Sequence, residues 1–348
     1  MKILGIITSL SDPASRARIL QYTDAFKKEN TSLQARIFFP EPYADPAPWA
    51  YRLNKLSGIS EWRFLWAQKI LNRLPIFLEQ YKYDLIWQNR LILPQHSFFE
   101  KNISVPIAFD FDDAIWVNMG ETHVARAIAK SSIVFAGNEY LADFARKHNG
   151  NVFIIPSTID TDKLFPLGSP PSQFTIGWIG SITNFKFLEI VKPAVETFLS
   201  MHPDARFMVV SSEPPPQFSF DNKQVVFKTW SAEKENELIN EFTVGLMPLY
   251  DNEITRGKCS YKMLQYMACG IPVIVSPVGM NKKVLSQAEA GLAPGSSQQW
   301  LEAFIQLKND TAFYDGCSVN GRALVEKEYS IKKYAPVLLD HFKRTIHQ

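Results

Sequence analysis

Two α/β domains, each built on a doubly wound parallel sheet, are the fold class the sequence predicts, and three observations predict it. The chain of 348 residues exceeds the size at which a single hydrophobic core keeps growing, so two domains of about 150 to 170 residues are expected. Short apolar runs alternate with stretches long enough for a helix, the rhythm of repeated β-α-β units. That rhythm stops at Phe165-Pro166-Leu167-Gly168-Ser169-Pro170-Pro171-Ser172, where proline and glycine end any regular element, and then restarts. The expected division is 1–166 for a first Rossmann-like domain, 173–329 for a second, and 330–348 for a closing segment.

In the first domain, strands are expected at Lys2–Ile7, Gln34–Phe39, Asp84–Trp87, Val105–Phe109, Ile133–Ala136 and Val152–Ile155. Between the first two, Ser15 to Asn30 places Ile19, Tyr22 and Phe26 at helical spacing, with Asp12 or Ser15 as the cap. The second domain offers strands at Phe174–Ile179, Arg206–Val210, Val225–Lys228, Gly245–Pro248 and Pro272–Ser276. Pro214-Pro215-Pro216 reads as a surface turn. Near the end, Tyr334, Val337, Leu338 and Phe342 recur at helical spacing, so a closing helix needs an apolar surface, expected on the first domain. Ligands of such sheets bind beyond the carboxyl ends of the strands, and a cleft between two facing domains is the expected site.

Composition narrows the function. The charge of +2, from 37 basic and 35 acidic residues, is too balanced for a protein whose main partner is nucleic acid. Cys259, Cys269 and Cys317 form no C-x-x-C pair and leave an odd count, against a disulfide framework or a zinc site. The histidines show no metal spacing, so no metal ligand is assigned. The opening Met1-Lys2-Ile3-Leu4-Gly5-Ile6-Ile7 lacks the charged and apolar regions of a secretory signal, and no run nears the roughly 18 apolar residues of a membrane span. A cytoplasmic location is expected.

Asp251 to Asn281, "DNEITRGKCSYKMLQYMACGIPVIVSPVGMN", is the richest segment. Gly270 suits a helix C-terminus, Pro272 stops continuation, and Val273-Ile274-Val275 favours a buried strand. Gly257 and Lys258 are therefore expected at a helix N-terminus with Lys262 a turn later, where free N–H groups and positive charge suit a diphosphate. A solvated basic face is the alternative reading of the same lysines.

The string "YKMLQYMACGIPVIVSPVG" resembles the signature of glycosyltransferase family four, GT-B-fold retaining enzymes that use nucleotide-sugar donors. "FTIGWIGSITNFKFL" resembles the opening of that family's donor domain, and "VFIIPSTIDTDKLFP" its interdomain passage. The resemblance places the family's donor-phosphate lysine at Lys186, six positions after Gly180, with Ser181 where an arginine companion is usual. The family's two glutamates fall on Gly257 and Gln265. Gln265 keeps the capacity to hydrogen-bond ribose hydroxyls, whereas Gly257 offers no side chain. Trp230 and Ser231 end a strand where the family often contacts the base.

In the first domain, "VPIAFDFDDAIW" sets Asp110, Asp112 and Asp113 at the end of an apolar run. Carboxylates so clustered repel one another unless they meet a cation, hydrogen-bond donors or ligand hydroxyls. By the resemblance, Asp112 takes a histidine position and Asp113 an aspartate position that contact the transferred sugar. Helix capping and a D-x-D metal motif remain alternative readings. Arg16 and Arg18, after the first loop, are expected on the acceptor side, facing an anionic acceptor or the donor phosphate, with exposed arginines as the alternative. Asn138 is expected to open a helix. Between Trp49 and Tyr83, the aromatics Trp49, Tyr51, Trp62, Phe64, Trp66 and Phe77 interleave with Arg52, Lys55, Arg63, Lys69 and Arg73. That mix fits either a membrane interface or a core with snorkelling cations.

The resemblance implies a hexosyltransferase that moves sugar from a UDP- or GDP-type donor, with retention and without a metal or other cofactor. The acceptor expected is a saccharide or lipid-linked saccharide in surface polysaccharide or glycoconjugate assembly, with peripheral contact at the inner membrane face. The competing readings are a magnesium-dependent phosphatase built on Asp110 and Asp112, and a non-catalytic sugar-nucleotide binder.

Overall fold

The computed structural model describes residues 1–10, 12–37, 61–168, 171–214 and 222–347, with 61–65 through their backbone alone. Trp49, Tyr51, Arg52 and Lys55, the side chains of Trp62, Arg63 and Phe64, and Pro215 and Pro216 lie outside the described residues.

Apolar strands flanked by helix-forming stretches give two parallel sheets. The first comprises β1 (Lys2–Ile7), β2 (Ser32–Ile37), β3 (Leu85–Asn89), β4 (Ile107–Phe111), β5 (Ile133–Ala136) and β6 (Val152–Ile154). Its strand order is β2-β1-β3-β4-β5-β6. The second comprises β7 (Thr175–Ile179), β8 (Arg206–Ser211), β9 (Val225–Thr229), β10 (Val244–Met247), β11 (Val273–Val275) and β12 (Gly291–Leu292). Its order is β12-β11-β10-β7-β8-β9. Side chains of the second sheet alternate between two buried clusters. Ile179, Met208, Val210, Met247, Val273 and Val275 face one, and Ile176, Phe207, Val209, Val244, Leu246 and Ile274 face the other. Burial on both faces explains why these strands read as unbroken apolar runs.

The chain forms two compact units, Met1–Pro156 with Tyr334–Gln348, and Ser157–Lys333. The change of unit precedes the proline-rich stretch expected to mark it. Ile159 bridges to Ser330, and the Phe165 and Leu167 amides donate to Asn236 and Asn240, so this passage is bonded into the second unit. The closing helix, Ile331–Ile346, crosses between units: Phe342 is fully buried and lies 5.2 to 6.1 Å, ring to ring, from Trp87, Phe135 and Phe26.

Two elements differ from expectation in ways that shape the site. The helix expected over 15–30 is broken into Pro13–Arg18, a 3-10 turn Leu20–Tyr22 and Thr23–Lys28. The fourth strand ends two residues later than expected, which draws Asp110 into the sheet, paired with Asn89 and Phe135. Among the described residues, no helix is long and apolar enough to cross a membrane.

Candidate functional site

In the second sheet the order reverses between β7 and β10, so the loops leaving those strands diverge and expose backbone to a ligand. Gly180 sits on the first of them. A Cβ there would lie 2.6 Å from the Trp178 ring and 2.7 Å from Lys262 Cε, so glycine is what lets the Lys262 stem cross the strand end. The Lys262 ammonium then sits 5.5 Å from the Trp178 ring centroid, an arrangement that favours the cation over the ring face. Ser181 Oγ bonds Asn184 and Thr183 and so closes the turn that opens the 3-10 segment Ile182–Ile190. Lys186 projects from that segment to solvent.

The second loop corrects one expectation. Gly257 and Lys258 do not start the long helix, because a separate short helix, Glu253–Arg256, forms first. Asn252 and Thr255 make a reciprocal capping box for it, and Gly257 is its C-cap. Ser260 then adopts φ 55° and the next helix begins at Tyr261, which leaves Lys258 between two helices and Lys262 inside the second. Gln265 is buried in this helix.

Ser260 Oγ donates to Asn281 Oδ1 at 2.7 Å, and the Asn281 amide donates to the Ser276 and Met247 carbonyls. The loops after β10 and β11 and the start of the helix are thereby held as one buried polar unit. Tyr266 anchors the helix to the strands beneath: its hydroxyl accepts from Ile179 N at 3.0 Å and donates to Leu246 O at 3.3 Å. Burial pushes this phenol up beyond its ordinary range.

Backbone bonds from Gly180 to Val210 and from Trp230 to Ser211 set the ends of β7, β8 and β9 side by side. Trp230 is half-buried with its indole N–H on Glu235 at 3.0 Å, and Ser231 follows, half-buried. Between Gly180 and Trp230 the Ser211 hydroxyl is buried without a hydrogen-bond partner among the described residues. Such an orphan is costly in a folded protein and marks a place for a ligand atom or water. Sequence patterning gave no sign of it, because a serine ending a strand is ordinary.

The first sheet reverses between β1 and β3, and the carboxylate cluster lies there. Asp110 is fully buried; Arg18 Nε donates to one of its oxygens at 2.7 Å and Trp87 Nε1 to the other at 3.1 Å. Asp110, expected in the catalytic carboxylate cluster, and Arg18, expected on the acceptor side, pair with each other beneath the surface. A phosphatase needs two carboxylates presented together on a metal, and Asp110 cannot be one of them. Arg16 lies half-buried on the same short helix.

Above this pair sits Arg90, which sequence reasoning passed over. Its backbone φ is 67°, a conformation costly for a residue with a Cβ and often found at functional sites. Its guanidinium reaches Asp12, Asp112 and Asp113 at 3.8, 3.9 and 3.6 Å. Asp12 is held by its capping bonds from the amide and hydroxyl of Ser15, each 2.8 Å. The Arg90 turn rests on a second buried acid: Glu100 accepts from Gln88 Nε2 at 3.1 Å and from Ile92 N at 2.8 Å. Burial pushes the Glu100 carboxyl up.

Four carboxylates, Asp12, Asp110, Asp112 and Asp113, thus face two guanidiniums, Arg18 and Arg90. The excess is negative, which suits the hydroxyl donors of a saccharide and disfavours an anion. Burial, and then the neighbouring Asp113, push the Asp112 carboxyl up to about 6. Asp113 is the more open of the two, 34% exposed against 13%, and is the better placed to touch a ligand. Asn138, 26 positions beyond Asp112, caps its helix by accepting from Leu141 N at 3.0 Å. Among the described residues, no group of three or more His, Cys, Asp or Glu is gathered for a metal.

Two six-stranded parallel sheets with sites at their switch points define the GT-B glycosyltransferase fold. Residues 173–310 match the family described as Glycosyl transferases group 1, and the chain as a whole has the GT-B fold. It is similar along its length to sucrose-phosphate synthase from Thermosynechococcus elongatus, with 15% identity, TM-score 0.74, and 99% and 98% of the two chains covered. It is similar also to HepE of Anabaena in complex with UDP-glucose, with 14% identity, TM-score 0.69, and 99% and 100% covered. The pneumococcal O-GlcNAc transferase GtfA, in complex with UDP and GlcNAc, matches 79% of this chain and 60% of its own, at 14% identity and TM-score 0.61. No curated protein matches the sequence.

Proposed function

We propose that the chain transfers a hexose from a nucleotide diphosphate sugar, of UDP or GDP type, to a saccharide or lipid-linked acceptor in glycoconjugate or surface polysaccharide assembly. One observation carries the reading: at the β7–β10 switch point a glycine that admits no Cβ lets Lys262 cross the strand end, beside the orphan Ser211 hydroxyl. The similarity to HepE with UDP-glucose and to GtfA with UDP and GlcNAc supports the donor class.

In this mechanism Lys186, Lys258 and Lys262 neutralise the diphosphate as it departs, so charge that a metal carries in other transferases is met by side chains. The bond from the anomeric carbon to the phosphate oxygen breaks and the acceptor oxygen takes its place. The acceptor's proton passes to the departing phosphate, consistent with retention. Asp113 and Asp112 accept hydrogen bonds from saccharide hydroxyls. Ser211 and Trp230 are assigned to the nucleoside, and Gln265 to the ribose.

Differential scanning fluorimetry against nucleotide diphosphates and their sugars, with and without chelator, tests the donor site. A ligand that binds only the folded state raises its melting temperature. The expected result is stabilisation by one nucleotide family, unaffected by chelator and lost in Lys262→Ala. No shift with any nucleotide would overturn the donor assignment. Donor binding without turnover across an acceptor panel would mark a non-catalytic binder instead, the reading that Gly257 and Gln265 favour.

A further inference from the structure

On the loop after β3, the backbone of Arg90 and Ile92 is held at every polar group. Arg90 N donates to Asp110 O at 3.0 Å, and Arg90 O accepts from Gln88 Nε2 at 3.0 Å. Ile92 N donates to Glu100 at 2.8 Å, and Ile92 O accepts from Arg73 Nε at 2.5 Å. The same Gln88 nitrogen donates to Glu100 at 3.1 Å, which ties the two residues into one clamp. Both partners of that amide are acceptors, so only its nitrogen end can face them. Glu100 comes from the short helix Phe98–Lys101. Gln88 and Glu100 are fully buried, and Arg73 nearly so.

Such a clamp is a poor way to stabilise a core. Glu100 Oε2 and Gln88 Oε1 are buried with no hydrogen-bond partner among the described residues. Burial pushes the Glu100 carboxyl up and the Arg73 guanidinium down to about 10. Buried ionisable groups with unmet hydrogen-bonding capacity cost stability that apolar side chains of the same volume would not. The turn they enforce is costly too, since Arg90 stands at φ 67°, where glycine or asparagine sits more easily. An arginine occupies the position all the same, and its guanidinium is what reaches Asp12, Asp112 and Asp113. The clamp secures the place of that side chain, not the firmness of the core.

We propose that Gln88, Glu100 and Arg73 are positioning residues for sugar transfer: they fix the left-handed turn at Arg90 and hold its guanidinium against Asp12, Asp112 and Asp113, so that Asp112 and Asp113 meet saccharide hydroxyls as a fixed pair of acceptors. The purpose rests on the reading of those two acids as saccharide contacts. The positioning itself is readable without turnover, in the titration of Asp112. That carboxyl feels Asp113 and Asp110 from β4 and its loop, Arg90 from the loop after β3, and Arg18 from the helix Pro13–Arg18. The two guanidiniums favour its charged form, so displacing Arg90 raises the pH at which it ionises.

Gln88→Met keeps the side-chain volume and removes the donor to Arg90 O, whereas Glu100→Gln keeps an oxygen for Ile92 N and Gln88 and is the conservative control. Carbon NMR titration of the Asp112 carboxyl and steady-state transfer kinetics, both on the full chain, test the proposal. In Gln88→Met the Asp112 midpoint is expected to rise by about half a pH unit or more, as in Arg90→Met, and kcat/KM to fall about tenfold or more, with Glu100→Gln within about threefold of wild type. On an Arg90→Met background, Gln88→Met should add no further loss, because it acts through the guanidinium. An unmoved titration in Gln88→Met overturns the proposal, as do fully additive losses in the double variant or a moved titration with unchanged transfer. A Gln88→Met chain that no longer folds overturns it too, since the clamp then serves the core. If the wild type transfers sugar to no acceptor, the reading of the site falls separately, and the titration alone decides whether the clamp positions Arg90.

Discussion

Asp112 carries a charge that its surroundings penalise. Burial and the adjacent Asp113 push its carboxyl up to about 6 from an ordinary value of 3.8, against the pull of Arg90. A group whose folded value is raised contributes its stability below the unfolded value and loses it as pH rises through the folded one. Asp112→Asn removes that penalty, so the variant is expected to exceed wild type in stability at pH 8 by on the order of 1 to 3 kcal/mol, with the gap closing near pH 4. Urea melts at both pH values measure it, and an equal gap at each would show packing, not charge, as the cause. Sugar transfer should fall in the same variant. At this scale the sequence located the acids and missed their counterion. Asp112 and Asp113 stand out as adjacent carboxylates closing an apolar run. Nothing in the Gln88-Asn89-Arg90 string shows that Arg90 adopts a left-handed backbone, since no glycine or asparagine occupies the position. Nor could Asp110 be seen to lie within the sheet, because its partner Arg18 is 92 residues earlier.

The loops that follow β7, β10 and β11 behave as one device. Gly180 admits the Lys262 stem, Tyr266 ties the helix Tyr261–Ala268 to β7 and β10, and Ser260 with Asn281 locks the turn before it. Gly180→Ala adds a methyl 2.6 Å from an indole that is itself buried and 2.7 Å from Lys262 Cε. The flexible lysine stem can move and the indole cannot, so Lys262 is expected to leave its position. Nucleotide affinity should drop about tenfold or more, with a stability loss of about 1 to 3 kcal/mol. Calorimetric titration beside a denaturant melt separates the two effects, and unchanged affinity would show that Lys262 does not bind the diphosphate. The strand, glycine stop and helix of this stretch were legible because each has a local cause. The short helix Glu253–Arg256 was not, since Asn252 and Thr255 are common loop residues until their reciprocal bonds are formed. The two-residue strand β12 is likewise too short to leave a pattern.

Each unit owns a hydrophobic core, and the closing helix belongs to both in sequence while its apolar end serves the first. Phe342 is fully buried, 5.2 Å ring to ring from Trp87, and Trp87 in turn donates to Asp110. The last helix therefore supports the carboxylate site through the Trp87 indole. Replacing Phe342 with alanine leaves a cavity beneath Trp87 and should cost about 3 to 5 kcal/mol. Because the cavity lies in one unit, the loss is expected to fall on that unit's melting transition. Calorimetry of Phe342→Ala should then show two transitions, of which only the higher responds to added nucleotide, since Gly180, Ser211 and Lys262, the residues proposed to hold the donor, all lie within Ser157–Lys333. A single transition, lowered as a whole and still nucleotide-sensitive, would show instead that the two cores unfold as one cooperative system. The helical spacing of Tyr334, Val337, Leu338 and Phe342 already demanded a surface to cover; that the covered surface includes the indole holding Asp110 depends on contacts between residues far apart in the chain, which periodicity does not encode.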